Sequence, residues 1–383
     1  MVKCLFLTFL FIFTIIKSSG LNIEANNFED FNKNYIAIDT NNKLSFMKKN
    51  LIISTITNYD WDKVGIFFKS YKMAKFQNCD CIVFVSKISE KTIQKIESCG
   101  ATVNQISDKY ENESVINSRW KIIEDYLNDN QEKYNLVLAT DIKGVLFQKD
   151  VFNIYNNLTK PFFGVAIEDG TLNEEFKFNK KWIIDTYGED KYNTISNERI
   201  ISLGTIWGTP DKVTEFSKIM LEKLSSERSK EFNAVDQSLG NYLIYHDKLF
   251  SDCLVKSNNN DGFVMALGTT KRKDIFLDKN NNILNGNGLI GAAILQYDIH
   301  PDLLDMAILK YCPELLIQKI SISTIIISIL IFICSIIGFV FYYKCQKKRM
   351  EINEEKFEMA QVTKEENNSQ SIEETDESIL NSN

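Results

Sequence analysis

Ile320 to Tyr343 is a run of 24 residues without one charged side chain, and no other stretch constrains the chain so tightly. As a helix it would extend roughly 36 Å, enough to cross a hydrocarbon core of about 30 Å with some tilt. Helices in the cores of soluble domains seldom run so far without a polar face. Lys344, Lys347, Lys348 and Arg349 follow at once, and cations gather on the cytoplasmic side of a span. The expected topology is therefore type I and single-pass, with the preceding chain in a lumen or outside the cell.

The other end agrees with that route. Met1 to Gly20 has one early cation, Lys3, then a mostly apolar, charge-free run of 13 residues from Cys4 to Ile16, then Ser18, Ser19 and Gly20. Such a run covers only about 20 Å as a helix, too short for a bilayer, and small residues suit a cleavage site, here before Leu21. The expected order is a signal peptide over 1–20, a lead segment over 21–49, one lumenal domain over 50–312, a juxtamembrane linker over 313–319, the span over 320–343 and a cytoplasmic tail over 344–383. The tail is acidic and has one aromatic, Phe357. With so little to bury it is expected to be disordered. Ser371, Thr375 and Ser378 stand near its acids as phosphorylation candidates. The location expected from both ends is a secretory-pathway membrane, whether endoplasmic reticulum, Golgi or cell surface.

Composition excludes several classes. The formal net charge is −7, and no basic patch stands out between Leu21 and Lys319, which argues against nucleic acid as a partner. Two histidines in the whole chain, with a lone Cys79-x-Cys81 spacing, do not make a zinc site. Cys79, Cys81, Cys99, Cys253 and Cys312 are too sparse for a disulfide scaffold. Asn112-Glu-Ser114 and Asn157-Leu-Thr159 are acceptor triplets for N-glycosylation, as in a lumenal glycoprotein.

Between them the chain alternates. Leu51 to Thr57 (LIISTIT) predicts a strand, and an amphipathic helix follows to about Lys75. Cys81 to Ser86 (CIVFVS), Ala101 to Ile106 and Leu136 to Thr140 predict further strands, separated by helices over Ser89 to Ser98 and Val115 to Leu127. Alternation of this kind implies parallel βαβ units, hence an α/β fold with a doubly wound, mostly parallel sheet. In a βα unit the helix returns to the level where its strand began, so Cys99 belongs near Cys79 or Cys81. Either a single bridge or buried free thiols would satisfy that placement.

Open α/β sheets bind ligands beyond the carboxyl ends of their strands. Asp141, directly after Leu136–Thr140, has that position. A carboxylate there suits a divalent cation or a ribose, or else it caps a turn. Asp60-Trp-Asp62 after the first strand reads as N-capping and helix-dipole stabilisation, while Tyr59 and Trp61 are candidates to stack a base. His246 and His300 lack a nucleophile in an elbow context. Asn285 to Gly291, although rich in glycine, reads as a turn.

Four ordered stretches carry a family likeness. Thr140 to Phe152 (TDIKGVLFQKDVF) resembles the strand-end motif T-D-hydrophobic-R-D-V-hydrophobic-F-Q-x-D-P-F of eukaryotic glycosyltransferase-like proteins with the GT-A nucleotide-sugar fold. Ile201 to Gly208 (ISLGTIWG) is similar to that family's S-G-T-I-x-G segment. Asp236-Gln237 with Asn241 to Tyr245 (NYLIY) resembles its D-Q…N-x-L-x-Y segment, and Ile294 to Pro301 (ILQYDIHP) its V-H-Q-Y-D-R-H-P. Ile53 to Phe68 looks like its opening strand and helix, so the resemblance covers residues 50 to 305.

The resemblance implies a nucleotide-sugar donor, with Mn²⁺ or another divalent cation neutralising its diphosphate. It makes Asp141 a metal or ribose contact, places Lys143 where the family has an arginine near the phosphates, and makes Asp236 the catalytic acid facing donor sugar or acceptor. Asp298 and His300 would approach the metal from the opposite side. Tyr59, as the base-stacking candidate, completes the cofactor contacts. Two positions depart from the pattern: Gly144 replaces the second strand-end acid, and Leu295 replaces the first histidine of the last motif. Two functions are therefore expected as alternatives. One is transfer of a sugar to a glycan, protein or lipid acceptor. The other is that of an inactive relative whose cleft binds a glycan or nucleotide.

Overall fold

The computed structural model describes residues 48–106, 115–155, 158, 160–173, 177–224 and 235–380. The expected signal peptide, nearly all of the lead segment, and the acceptor residues Asn112, Ser114, Asn157 and Thr159 lie outside the described residues, as do the side chains of Ser371, Thr375 and Ser378.

The first described strand, β1 (Lys49–Thr57), is apolar on both faces: Leu51 and Ile53 enter one core, Ile52 and Ile56 the other. A strand covered on both sides belongs inside a helix-flanked parallel sheet. Helix α1 (Trp61–Ala74) leads to β2 (Cys79–Ser86), and α2 (Glu90–Ser98) to β3 (Thr102–Gln105). These three strands lie parallel in the order β3-β2-β1. Helix α2 starts where Ser89 Oγ accepts from the Thr92 N–H, which satisfies one of the orphan donors of a helix start. Helix α3 (Val115–Asn130) then carries the chain over to β4 (Tyr134–Thr140), which joins β1 on its free side, also parallel.

The second half reverses direction. After β5 (Val145–Phe147) and the single turn α4 (Phe152–Tyr155) come β6 (Phe163–Thr171), α5 (Lys177–Tyr187), α6 (Glu189–Ile195) and β7 (Arg199–Gly208). Then follow α7 (Pro210–Leu224), α8 (Val235–Tyr245) and β8 (Leu254–Ser257). The sheet order is β3-β2-β1-β4-β7-β6-β8, with β7 antiparallel to both neighbours. Four of its six strand pairs are parallel, so the sheet is mostly parallel, as expected. A small sheet covers one face, with β12 (Ala293–Leu295) between β5 and β9 (Val264–Ala266). The hairpin β10 (Phe276–Leu277) and β11 (Ile283–Leu284) stands beside it. Helices α1 and α9 (Pro301–Tyr311) and the small sheet share one core, while α3, α7 and α8 share the other.

One open alternative is decided and one expectation gives way. Cys79, Cys81 and Cys99 are free thiols, not a bridged pair. Cys81 and Cys99 lie in the same core, where burial pushes both thiols up and they serve as small apolar side chains. The linker and tail, expected as connector and disordered segment, are helical: α10 runs unbroken from Pro313 to Leu380. Neither glycine nor proline occurs between Lys344 and Leu380, and Glu, Lys, Gln and Met are good helix formers. A helix nucleated upstream therefore meets nothing to stop its propagation. Within α10, Ile326–Met350 is long and apolar enough to cross a membrane.

Candidate functional site

The chain leaves β1 for β2 and β3 on one side, then returns to place β4 on the other. The crevice beyond the carboxyl ends of β1 and β4 is thus the point where strand order switches, the position at which open α/β sheets hold ligands. Sequence chemistry fixes the rim there. Ser54 Oγ donates to the Thr140 carbonyl (2.5 Å), Thr140 Oγ1 meets Thr205 Oγ1 (2.6 Å), and the Asp141 N–H donates to the Gly204 carbonyl (2.6 Å). Asp141 is thereby held at the end of β4 with its side chain half exposed.

What meets Asp141 is an arginine that no sequence pattern singled out. Arg119 Nη1 donates to Asp141 Oδ1 (2.8 Å), and Nη2 donates to Asp236 Oδ2 (2.5 Å) and to the Leu203 carbonyl (3.3 Å). The guanidinium stacks over the Trp120 ring at 4.5 Å, and its Nε is buried without a hydrogen-bond partner. Burial works against its charge, but Asp236 and Asp141 outweigh that and hold it above the ordinary arginine value. The second Asp236 oxygen, Oδ1, accepts from the Gln237 N–H (2.7 Å). Both acids expected to work on a ligand are therefore tied to one cation and to each other.

The rest of the Asp236–Tyr245 segment serves the sheet. The pairing of β4 with β7 stops at Thr140 opposite Thr205, which leaves Ile201 and Leu203 of β7 without a strand on that side. Side-chain amides take its place: Gln237 accepts from the Leu203 N–H (3.0 Å) and donates to the Ile201 carbonyl (2.8 Å), while Asn241 accepts from the Ile201 N–H (2.9 Å) and donates to the same carbonyl (3.0 Å). Buried backbone groups must be paired, and that requirement explains these residues without a ligand.

Two cavities flank the rim. One, of about 330 Å³, is lined by Asp141, Glu168, Ser202, Gln237 and Gln296 among others. The other, of about 800 Å³, lies between the first turns of α1 and α2 and the segment around Tyr297 and Asp298, with Trp61, Lys91 and Lys95 in its wall. Among the described residues, Lys143 is the one that lines both. Trp61 is buried, and its Nε1 donates to Glu314 at 3.5 Å, while Lys95 stands 5.1 Å over its ring. Tyr59 is exposed and lines neither cavity. Asp60 takes the N-cap position of α1 without a side-chain cap bond, and Asp62 sits in the first turn.

The expected metal ligands do not assemble. Among the described residues, no group of three or more His, Cys, Asp or Glu side chains is placed to hold a metal ion. Asp141 gives its carboxylate to Arg119, whose positive charge repels a cation from both acids. Asp298 faces the larger cavity beside Gly144, and His300 is buried as the residue before Pro301, its Nε2 3.4 Å from the Leu267 carbonyl. Leu295, in β12 opposite Val145 and Ala266, puts an apolar side chain in the wall of the smaller cavity. A side chain at 144 is strained by its backbone, where φ is +76°, and a Cβ there would stand 2.6 Å from Asp298 Oδ1, so the Asp298 carboxylate would have to turn aside. The residues present do not fit a divalent cation.

Glu168, at the inner end of β6, is a group the sequence did not point to. It is 4% exposed, and Gln296 Nε2 donates to it weakly at 3.5 Å. Burial pushes its carboxyl up to about 7, against the pull of hydrogen bonds from Gln296 and Thr269. A carboxyl that titrates near neutrality in a cavity wall can hold or pass a proton. Its linkage sign is fixed. From about pH 4.5 to 7 the folded state keeps a proton that the unfolded state has released, so stability falls as pH rises, by on the order of 3 kcal/mol in all. Denaturant unfolding at several pH values is expected to show this slope in the wild type and to lose most of it in Glu168→Gln. An equal slope in both proteins would remove the assignment.

No protein-family model matches the chain, and no curated protein matches it. Solved structures with similar folds include the glycosyltransferase GlyE of Streptococcus pneumoniae TIGR4, 11% identical, covering 55% of this chain and 46% of GlyE, with a TM-score of 0.36. The galactosyltransferase LgtC, in complex with donor and acceptor sugar analogues, is 15% identical, covering 64% of this chain and 86% of LgtC, with a TM-score of 0.40. An active-site mutant of LgtC aligns over the same shares with a TM-score of 0.41. The aligned region thus spans less than half of GlyE.

Proposed function

We propose that this chain is a glycosyltransferase-like protein that binds a nucleoside-diphosphate sugar in the paired cavities and transfers the sugar to a glycan, protein or lipid acceptor. The reading places the domain in the lumen of the secretory pathway or at the cell surface, beside the membrane that Ile326–Met350 crosses. The observation that carries it is the location of the cavities. They meet at Lys143, just past the carboxyl end of β4, at the strand-order switch where phosphates and sugars of nucleotides are held in open α/β sheets. In this reading the larger cavity takes the nucleoside beside Trp61, and the smaller takes the sugar between Asp141, Gln237 and Glu168. Glu168 is then the proton-handling group, while Asp141 and Asp236, fixed by Arg119, shape the wall and orient what lies against it.

Ligand binding to the native state raises its melting temperature. The full chain in detergent is expected to gain roughly 2 to 4 °C with at least one nucleotide sugar at saturating concentration, which corresponds to about 1 kcal/mol in a domain of this size. Donor hydrolysis by the same sample is then expected to fall on Glu168→Gln. A flat melting temperature across a panel of uridine, guanosine and cytidine sugars would sink the proposal.

A further inference from the structure

We infer that Lys143 carries the donor diphosphate at the wall between the two cavities, and that its binding needs no divalent cation. The inference rests on the donor-binding reading above and adds to it which group meets the phosphates. Lys143 is exposed, lines both cavities, and makes no ion pair among the described residues. An ammonium on a flexible stem is a mobile point charge suited to phosphate oxygens. A ligand with its base in one cavity and its sugar in the other must pass its diphosphate across this residue.

The groups that a cation would need are committed elsewhere. Asp141 and Asp236 are joined by Arg119, and the remaining Asp236 oxygen is held by the Gln237 N–H. The position that would supply a second strand-end carboxylate is Gly144, which carries none and whose φ of +76° strains any side chain placed there. Asp298 shares the wall of the larger cavity with Asp60, Asp62 and Glu314, and among the described residues these acids form no group of three placed to hold a metal ion. Lys91 and Lys95, in the wall of the larger cavity, add positive charge on the nucleoside side.

The test is isothermal titration of the full chain in detergent with uridine, guanosine and adenosine diphosphates, each in EDTA and in millimolar Mn²⁺. The affinity of the best diphosphate is expected to differ by less than about twofold between the two conditions, and Lys143→Gln to weaken it about tenfold or more. The corresponding nucleoside without phosphates is expected to bind wild type and Lys143→Gln alike, which separates a phosphate contact from damage to the cavity. Tightening by Mn²⁺ of about tenfold or more overturns the inference and leaves the donor reading standing. Unchanged diphosphate affinity in Lys143→Gln also overturns it. If no diphosphate binds in either condition, both the inference and the donor reading fall.

Discussion

Arg119→Met is expected to lower the unfolding free energy by about 3 to 5 kcal/mol, the cost of leaving a buried charge without its partner. Asp236 is the reason: its side chain is 10% exposed and its Oδ2 has Arg119 as the donor in reach. The ion pair lies on the axis that joins three elements, since Arg119 is in α3, Asp236 in α8 and Asp141 at the end of β4. Loss of the guanidinium also strips a hydrogen bond from the Leu203 carbonyl, which has no β4 partner at that level. The measurement is denaturant unfolding of the full chain. The double variant Arg119→Met/Asp236→Asn should recover about half of the loss or more, because removing both charges of a buried pair costs far less than removing one. A single variant that loses less than about 1 kcal/mol would mean that solvent screens the pair.

Gly144→Asp, which restores the acid of the resembled motif, is expected to cost about 1 to 3 kcal/mol and to yield no cation site. Three effects add: a left-handed backbone costs a side chain about 1 to 2 kcal/mol, the Asp298 carboxylate must turn away from the new Cβ, and the new carboxylate repels it. Gly144→Ala separates them, since it keeps the strain and the contact but adds no charge. Unfolding measurements should place it between wild type and Gly144→Asp, and manganese titration of both variants should remain flat. A Gly144→Asp protein that is as stable as wild type and binds Mn²⁺ would show that the segment around Asp298 moves freely.

Most of the framework was legible in the sequence because it rests on local signals. Leu51 to Thr57 reads as a central strand since both of its faces are apolar, and Ser89 announces a helix start by its own capping chemistry. Asp141 was placed correctly at the rim because strand ends are local events. Its partners were not legible. Arg119 pairs with an acid 22 residues away and with another 117 residues away, separations that periodicity does not encode. One hint was present, for Arg119 lies four residues before Ile123, on the apolar stripe of α3, where a lone cation requires an acid inside the fold.

The D-Q…N segment carries a structural duty that was hidden for a related reason. Gln237 and Asn241 patch β7 where β4 has ended, and only the register of the two strands reveals that vacancy. Glu168 was invisible because nothing in Phe163–Thr171 says which strand residue will face a cavity. The tail went the other way. Its composition argued for disorder, but a helix already running at Pro313 does not need a fresh nucleus, and helix-forming side chains let it continue.

That helix also sets an attitude. Leu315 is part of the domain core and Glu314 receives the Trp61 indole, so the first turn of α10 is built into the wall of the larger cavity. Ten residues lie between Leu315 and Ile326, a rise of roughly 16 Å of helix, and none is a glycine or proline. A strut of that kind has no swivel. If Ile326–Met350 crosses a membrane as proposed, the direction in which that segment settles would set which way the cavity mouth points and how far it stands from the surface.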